Sequence, residues 1–119
     1  MQHTITIGSD GHIHIAFIGD SEKKEAQEFQ AALLALLDKY PDKNFDVLAD
    51  MTRAGSSTPQ ALKIYAGLMQ NKHVKKVALI NTGPIPKMFA NMAINFSHKT
   101  DVQFLDTEAE AEAWLQKAW

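Results

Sequence analysis

Phe45-Asp46-Val47-Leu48-Ala49-Asp50-Met51 and Val74-Lys75-Lys76-Val77-Ala78-Leu79-Ile80 are two short runs, nearly continuous in apolar side chains, as expected of interior strands covered on both faces. Between them Pro59 suits the first turn of a helix, Ser57 or Thr58 can cap it, and Leu62, Tyr65, Ala66 and Met69 form its buried stripe. Strand, helix, strand in that order implies a parallel pair joined by a right-handed crossover.

Upstream, Thr4–Ile7 and residues 12–18 alternate apolar and polar side chains, and Gly8-Ser9-Asp10-Gly11 supplies the turn chemistry of a β-hairpin. Asp20 or Ser21 can cap the next helix, whose Ala26, Phe29, Leu33, Leu36, Leu37 and Tyr40 recur every three or four residues until Tyr40-Pro41 stops it. Downstream, residues 81–86, Asn-Thr-Gly-Pro-Ile-Pro, read as an irregular, stiff loop leading into a third helix of about a dozen residues. Val102–Leu105 reads as a strand, and Thr107-Glu108-Ala109-Glu110 is a capping box opening a last helix with Trp114 and Leu115. The order ββαβαβαβα predicts an α/β fold: a mixed, mostly parallel five-stranded sheet with an N-terminal β-hairpin and four flanking helices, one domain over residues 1–119.

Composition narrows the function classes. A 119-residue chain with 45% apolar and 22% charged residues is ordinary for a globular domain. A net charge of −2, with basic residues scattered and clustered only in the short pairs Lys23-Lys24 and Lys75-Lys76, argues against nucleic acid as partner; those pairs read as a solvated helix start and a strand edge. The absence of cysteine removes disulfides, thiolate metal sites and cysteine nucleophiles. His3, Asp10, His12 and His14 interrupt residues 1–18, so neither a signal peptide nor a membrane span fits there and a cytoplasmic location is expected, with peripheral contact to the inner face of the membrane as its variant.

The order of elements resembles the SpoIIAA-like (STAS/Sec14-type) small bacterial proteins. So do the Val47-Leu48-Ala49-Asp50 and Lys76-Val77-Ala78-Leu79-Ile80 strands, and the closing Val102-Gln103-Phe104-Leu105-Asp106 with Glu110-Ala111-Glu112-Ala113-Trp114-Leu115. The resemblance covers nearly the whole chain and implies the fold. Its relatives include anti-sigma-factor antagonists switched by serine phosphorylation, lipid-carrying Sec14-type domains and many members without assigned activity.

Two segments carry the functional expectations. Ligands of open α/β sheets collect outside the carboxyl ends of the strands, here residues 50–58 and 81–86. The resemblance to the antagonists implies a phosphorylated serine near Ser56 or Ser57, with Ser57 preferred. Arg53 and Thr58 would complete a phosphate or anion site at a helix N-terminus. The compact Asp-Ser-Ser/Gly pattern of the antagonists is absent, since five residues including Arg53 separate Asp50 from Ser56. Simple helix capping by Ser57 and Thr58, with Gly55 turning the chain, is the plainer account.

The third helix carries the second expectation. Ile85, Met88, Phe89, Met92, Ala93 and Phe96 form a broad apolar stripe, Ala90 and Ile94 add apolar surface opposite, and Lys87 is the lone charge between Ile85 and Ser97. Such a stripe is ordinarily core. With so little polarity around it, Ile85, Met88, Phe89, Met92 and Phe96 are also candidates to bind an apolar small molecule, a lipid or a membrane surface, with Gly83-Pro84 as the hinge of a lid.

Catalytic chemistry finds no constellation. His12 and His14 project from one side of a strand but no carboxylate has an evident place beside them, so solvent-facing histidines, not a metal site, are expected. His73 and His98 fall at the amino ends of strands, far from Ser56 and Asp50, which removes a Ser–His–Asp arrangement, and no Walker motif is present. The sequence thus predicts a non-catalytic binding module without metal or cofactor, a monomer or homodimer. Its alternative is a phosphorylation-controlled switch with a regulatory protein partner.

Overall fold

The computed structural model describes residues 1–117; Trp119, expected at a dimer contact or a frayed end, lies outside the described residues. The elements run β1 (Thr4–Ile7), β2 (Ile13–Ser21), α1 (Lys23–Asp38), β3 (Phe45–Ser57), α2 (Pro59–Met69), β4 (Val74–Ile80), α3 (Pro84–Ser97), β5 (Val102–Leu105) and α4 (Glu108–Gln116). The sheet order is β1-β2-β3-β4-β5, with β1 antiparallel to β2 and the remaining pairs parallel.

Because sheet order equals chain order, every right-handed crossover steps the same way and leaves its helix on the same face. Phe29, Leu33 and Leu37 of α1 and Leu68 of α2 pack there on Ile13, Ile15, Val47, Ala49, Met51, Val77 and Leu79, with Ala90 and Ile94 of α3 at the margin. The alternate residues Leu48, Ala78 and Ile80 point the other way and are covered by Ala111, Leu115 and Trp114 of α4. The central strands are therefore buried on both faces, as their apolar runs require.

Three boundaries depart from the sequence reading. The strand expected to end at Met51 continues to Ser57, and β2 extends to Ser21 to match it, pairing Ile18 with Arg53, Gly19 with Ala54 and Ser21 with Ser57. Residues 50–58 are thus mostly strand, because a partner backbone satisfies N–H and C=O groups where no apolar pattern announces a strand. Gly55 permits this close approach: a Cβ there would lie 2.1 Å from Asp20 Oδ1 and 3.0 Å from the Asp20 backbone nitrogen. Asp20 and Ser21, being in β2, do not cap α1; Glu22 takes that position without a side-chain cap bond.

The third helix begins at Pro84 rather than after Pro86. Both prolines fall in its first turn, where a missing N–H breaks no helical hydrogen bond. Thr58 and Thr107 do cap α2 and α4, their hydroxyls accepting from the Ala61 and Glu110 N–H groups. Lys76, expected at a solvated edge, is buried. Its Nζ donates to the Trp114, Leu115 and Lys117 carbonyls and lies over the Trp114 ring, a cation closing the negative end of α4.

Candidate functional site: an apolar cavity beneath the third helix

Between α1, α2, α3 and the sheet lies an apolar cavity of about 120 Å³. Phe17, Phe29 and Tyr65 form one wall, with ring centroids 5.1–5.6 Å apart, and Pro86, Phe89, Ala90, Ala93 and Ile94 of α3 form its cover. The cavity exists because α3 turns small side chains inward. Ala93 and Ser97 are its buried residues, Phe89, Ala90 and Ile94 are half-buried, and the Cβ of an alanine cannot fill the space a leucine would.

The large apolar residues of α3 face outward. Ile85 is 61% exposed, Met88 54%, Met92 42% and Phe96 51%. The expected stripe is therefore split: Phe89 and Ala93 turn to the cavity with Ala90 and Ile94, and the other four form an apolar strip on the surface. Lys87 does not interrupt it, since its Nζ sits 5.0 Å from the Phe104 ring centroid.

A hydrogen-bonded chain of polar groups touches the cavity. Ser21 and Tyr65 both line it, and the Tyr65 hydroxyl donates to Ser21 Oγ at 2.8 Å. His3, buried behind them, accepts the Ile18 N–H at Nδ1, so Nε2 carries the ring proton and donates to Ser21 Oγ at 2.9 Å. Burial pushes the His3 pKa down and the Tyr65 pKa up. With its one acceptor nitrogen already engaged, neutral His3 cannot take a proton from Ser21, and the pair is not a nucleophile with its base. Sequence reasoning missed this trio because its members come from three distant positions without a shared motif.

The hydroxyl-rich segment sits at the same end of the sheet. Asp20 Oδ1 accepts the Ser56 N–H at 2.9 Å and the Ser56 hydroxyl at 3.2 Å. Ser57 is half-buried and lines the cavity, Thr58 is engaged in capping, and Arg53 is exposed on the strand. Of these residues Ser56 is thus already engaged by the protein's own carboxylate, Asp20.

The model of the SpoIIAA-like family matches residues 12–116. The chain belongs to the SpoIIAA-like family. Among solved structures, an uncharacterized DUF3478-family protein with a SpoIIAA-like fold, from Shewanella loihica PV-4, is similar at TM-score 0.72. It is 20% identical over 95% of this chain and 93% of that one. The anti-sigma factor antagonist SpoIIAA in its unphosphorylated form is similar at TM-score 0.67, 12% identical over 98% of this chain and 99% of that one. At these identities the likeness is one of fold. No curated protein matches the chain.

The remaining histidines of this SpoIIAA-like chain are placed unevenly. His73 Nδ1 lies 3.0 Å from the Lys43 carbonyl and His98 ends α3 in a left-handed conformation, both before strands and remote from Ser56. His12 and His14 are half-buried, and carboxylates absent from the sequence reading do stand beside them: Asp10 from the hairpin turn and Glu112 from α4. Burial opposes ionisation of Asp10, yet hydrogen bonds from Glu112, the His12 N–H and His14, with the charge of His14, hold its carboxyl well below the usual carboxylate range. Glu112 is pushed up, by its hydrogen bond to Asp10 and by burial. Among the described residues, no helix is long and apolar enough to cross a membrane.

Proposed function

We propose that this SpoIIAA-like chain is a non-catalytic binding module that takes a small, mostly apolar molecule, an acyl segment or a ring, into the cavity beneath α3. The outer strip of α3 rests on the lipid surface from which such a molecule is drawn, and Gly83-Pro84 is the hinge about which the helix lifts. The observation that carries this reading is an apolar cavity of about 120 Å³ roofed by a helix whose outer side is also apolar. An enclosed apolar space of about 150 Å³ stays dry and holds a benzene ring, so a single ring or short acyl segment is the upper limit for this smaller cavity. Ser21 and Tyr65, with Ser57 also in the wall, offer hydrogen-bonding groups that would orient a neutral polar end.

The phosphorylation switch fits less well. The fold it shares with an anti-sigma factor antagonist supports a protein partner in general terms. A phosphate on Ser56 would confront the Asp20 carboxylate, and one on Ser57 would add about −1.5 to −2 charges at an apolar cavity wall.

The test is titration of the full chain with benzene and with 1-hexanol, followed by thermal unfolding and by chemical shifts of Phe89 and Tyr65. Saturable stabilisation is expected, abolished in Ala90→Leu, whose added methyl groups occupy the cavity. Ala90→Leu that is itself destabilised by about 1–3 kcal/mol would show there is no room to fill and sink the reading.

A further inference from the structure

The face of the sheet opposite the cavity carries a polar cluster that the binding function does not use. Asp10 in the β1–β2 turn, His14 on β2 and Glu112 on α4 each offer one ligand atom, and these atoms all lie within 4.8 Å of one another. His14 Nε2 is 2.9 Å from Asp10 Oδ2 and 3.1 Å from Oδ1. His12, whose N–H donates to Asp10 Oδ1 at 2.9 Å, brings its Nε2 to 3.7 Å from Glu112 Oε2. Two carboxylates and the His14 imidazole, from three separate elements, thus converge on one point, with the His12 imidazole beside Glu112.

We propose that Asp10, His14 and Glu112, with His12 as a fourth ligand, bind a divalent transition-metal ion of the zinc type, which ties the hairpin turn to α4. Donor atoms around a tetrahedral zinc, with bonds of about 2.0–2.2 Å, are roughly 3.4 Å apart, within the spread already present. The ligand chemistry sets the class of ion. Imidazole nitrogen favours zinc, cobalt or nickel, whereas calcium and magnesium ask for a shell of oxygens. Without cysteine the chain offers no thiolate that would compete for the ion.

Gly8 supplies a separate observation. It is not among the positive-φ glycines, so no backbone strain requires glycine there. A Cβ at Gly8 would instead lie 2.6 Å from His14 Nε2 and 2.8 Å from Asp10 Oδ1, inside the space the two ligands occupy. Glycine at this position keeps the ligand pocket open. Asp10 is exposed and the other three half-buried, which leaves the ion a path from solvent.

The experiment is calorimetric titration of the untagged, chelator-treated full chain with zinc chloride, and with cobalt chloride followed by visible absorption. One equivalent of zinc is expected to bind and raise the unfolding temperature, and cobalt to show the bands of a four-coordinate nitrogen–oxygen site. His14→Gln and Glu112→Gln should each weaken binding at least about tenfold. Gly8→Ala should weaken it in the same direction without altering the circular dichroism of the metal-free protein, because only two side-chain ends must move. His73→Gln should leave affinity unchanged. Absence of binding, binding indifferent to His14→Gln and Glu112→Gln, or binding lost in His73→Gln would each overturn the proposal.

Discussion

Helices α1 and α3 lie on the same face of one sheet, and both carry apolar residues at helical spacing, yet they use them in opposite ways. In α1 the large residues Phe29, Leu33 and Leu37 are buried and the charged ones face water. In α3 the fully buried positions are small, Ala93 and Ser97, Phe89 and Ile94 are only half-buried, and Ile85, Met88, Met92 and Phe96 face outward. A helix that buries alanine and exposes methionine forgoes burial energy at about 25 cal/mol per Å² of apolar surface left in water. The difference separates a helix that holds the fold from one that keeps its large apolar residues outside the core, the feature on which the proposed binding role rests.

The sharpest way to break this contrast is a pair of truncations. Leu33→Ala should cost about 2–5 kcal/mol in denaturant unfolding, as large-to-small changes in a packed core do. Met92→Ala, on α3, should stay within about 0.5 kcal/mol, as is usual for a surface position. Equal losses would mean that the α3 strip is already packed against something, and the contrast would fail.

The α1 side can be probed further through His3, which packs edge-on against Phe17 and Phe29. Burial lowers its folded-state pKa below the ordinary 6.5, so the unfolded chain binds the proton more readily. The stability His3 contributes is therefore fully present above pH 6.5 and is lost as pH falls from there toward its folded pKa. The slope from this one group is at most about 1.4 kcal/mol per pH unit. His3→Gln should flatten that part of the stability-versus-pH curve. An unchanged curve would show that the wall behind α1 is open to water and not sealed.

The same contrast explains what the sequence revealed and what it withheld. The β3 and β4 strands, the helix between them and the threonine caps of α2 and α4 are local signals: apolar runs, proline position and hydroxyl spacing are fixed by residues close in the chain. The C-terminal half of β3 was not legible, because Thr52, Arg53, Gly55, Ser56 and Ser57 become strand only through pairing with β2. Nor was the orientation of α3. Ile85, Met88, Met92 and Phe96 share one side, and Phe89, Ala90, Ala93 and Ile94 another, so hydropathy alone does not say which side meets the sheet. Only the fold decides it, by setting Phe89, Ala90, Ala93 and Ile94 over the cavity with Met51 and Leu79. Asp10, His14 and Glu112 were missed for a related reason: α4 returns across the reverse face, and only the fold brings residue 112 beside residue 14.

The smallest expected effect on stability is also the one that speaks most directly to α3. Met88→Glu places a charge in the middle of the exposed strip, where no partner is desolvated, and should change unfolding free energy by no more than about 0.5 kcal/mol. The same charge would have to leave water if the strip settled onto a bilayer, so co-sedimentation with phosphatidylglycerol–phosphatidylcholine vesicles should fall sharply. Asn91→Glu, exposed on the same helix but outside the strip, serves as the control and should sediment nearly as the parent does. Loss in both variants would assign the effect to net charge, whereas loss in Met88→Glu alone would assign it to the apolar strip. If neither variant changes sedimentation, or the parent does not sediment at all, the exposed methionines do not serve a lipid surface, and the contrast between α1 and α3 stands without its functional meaning.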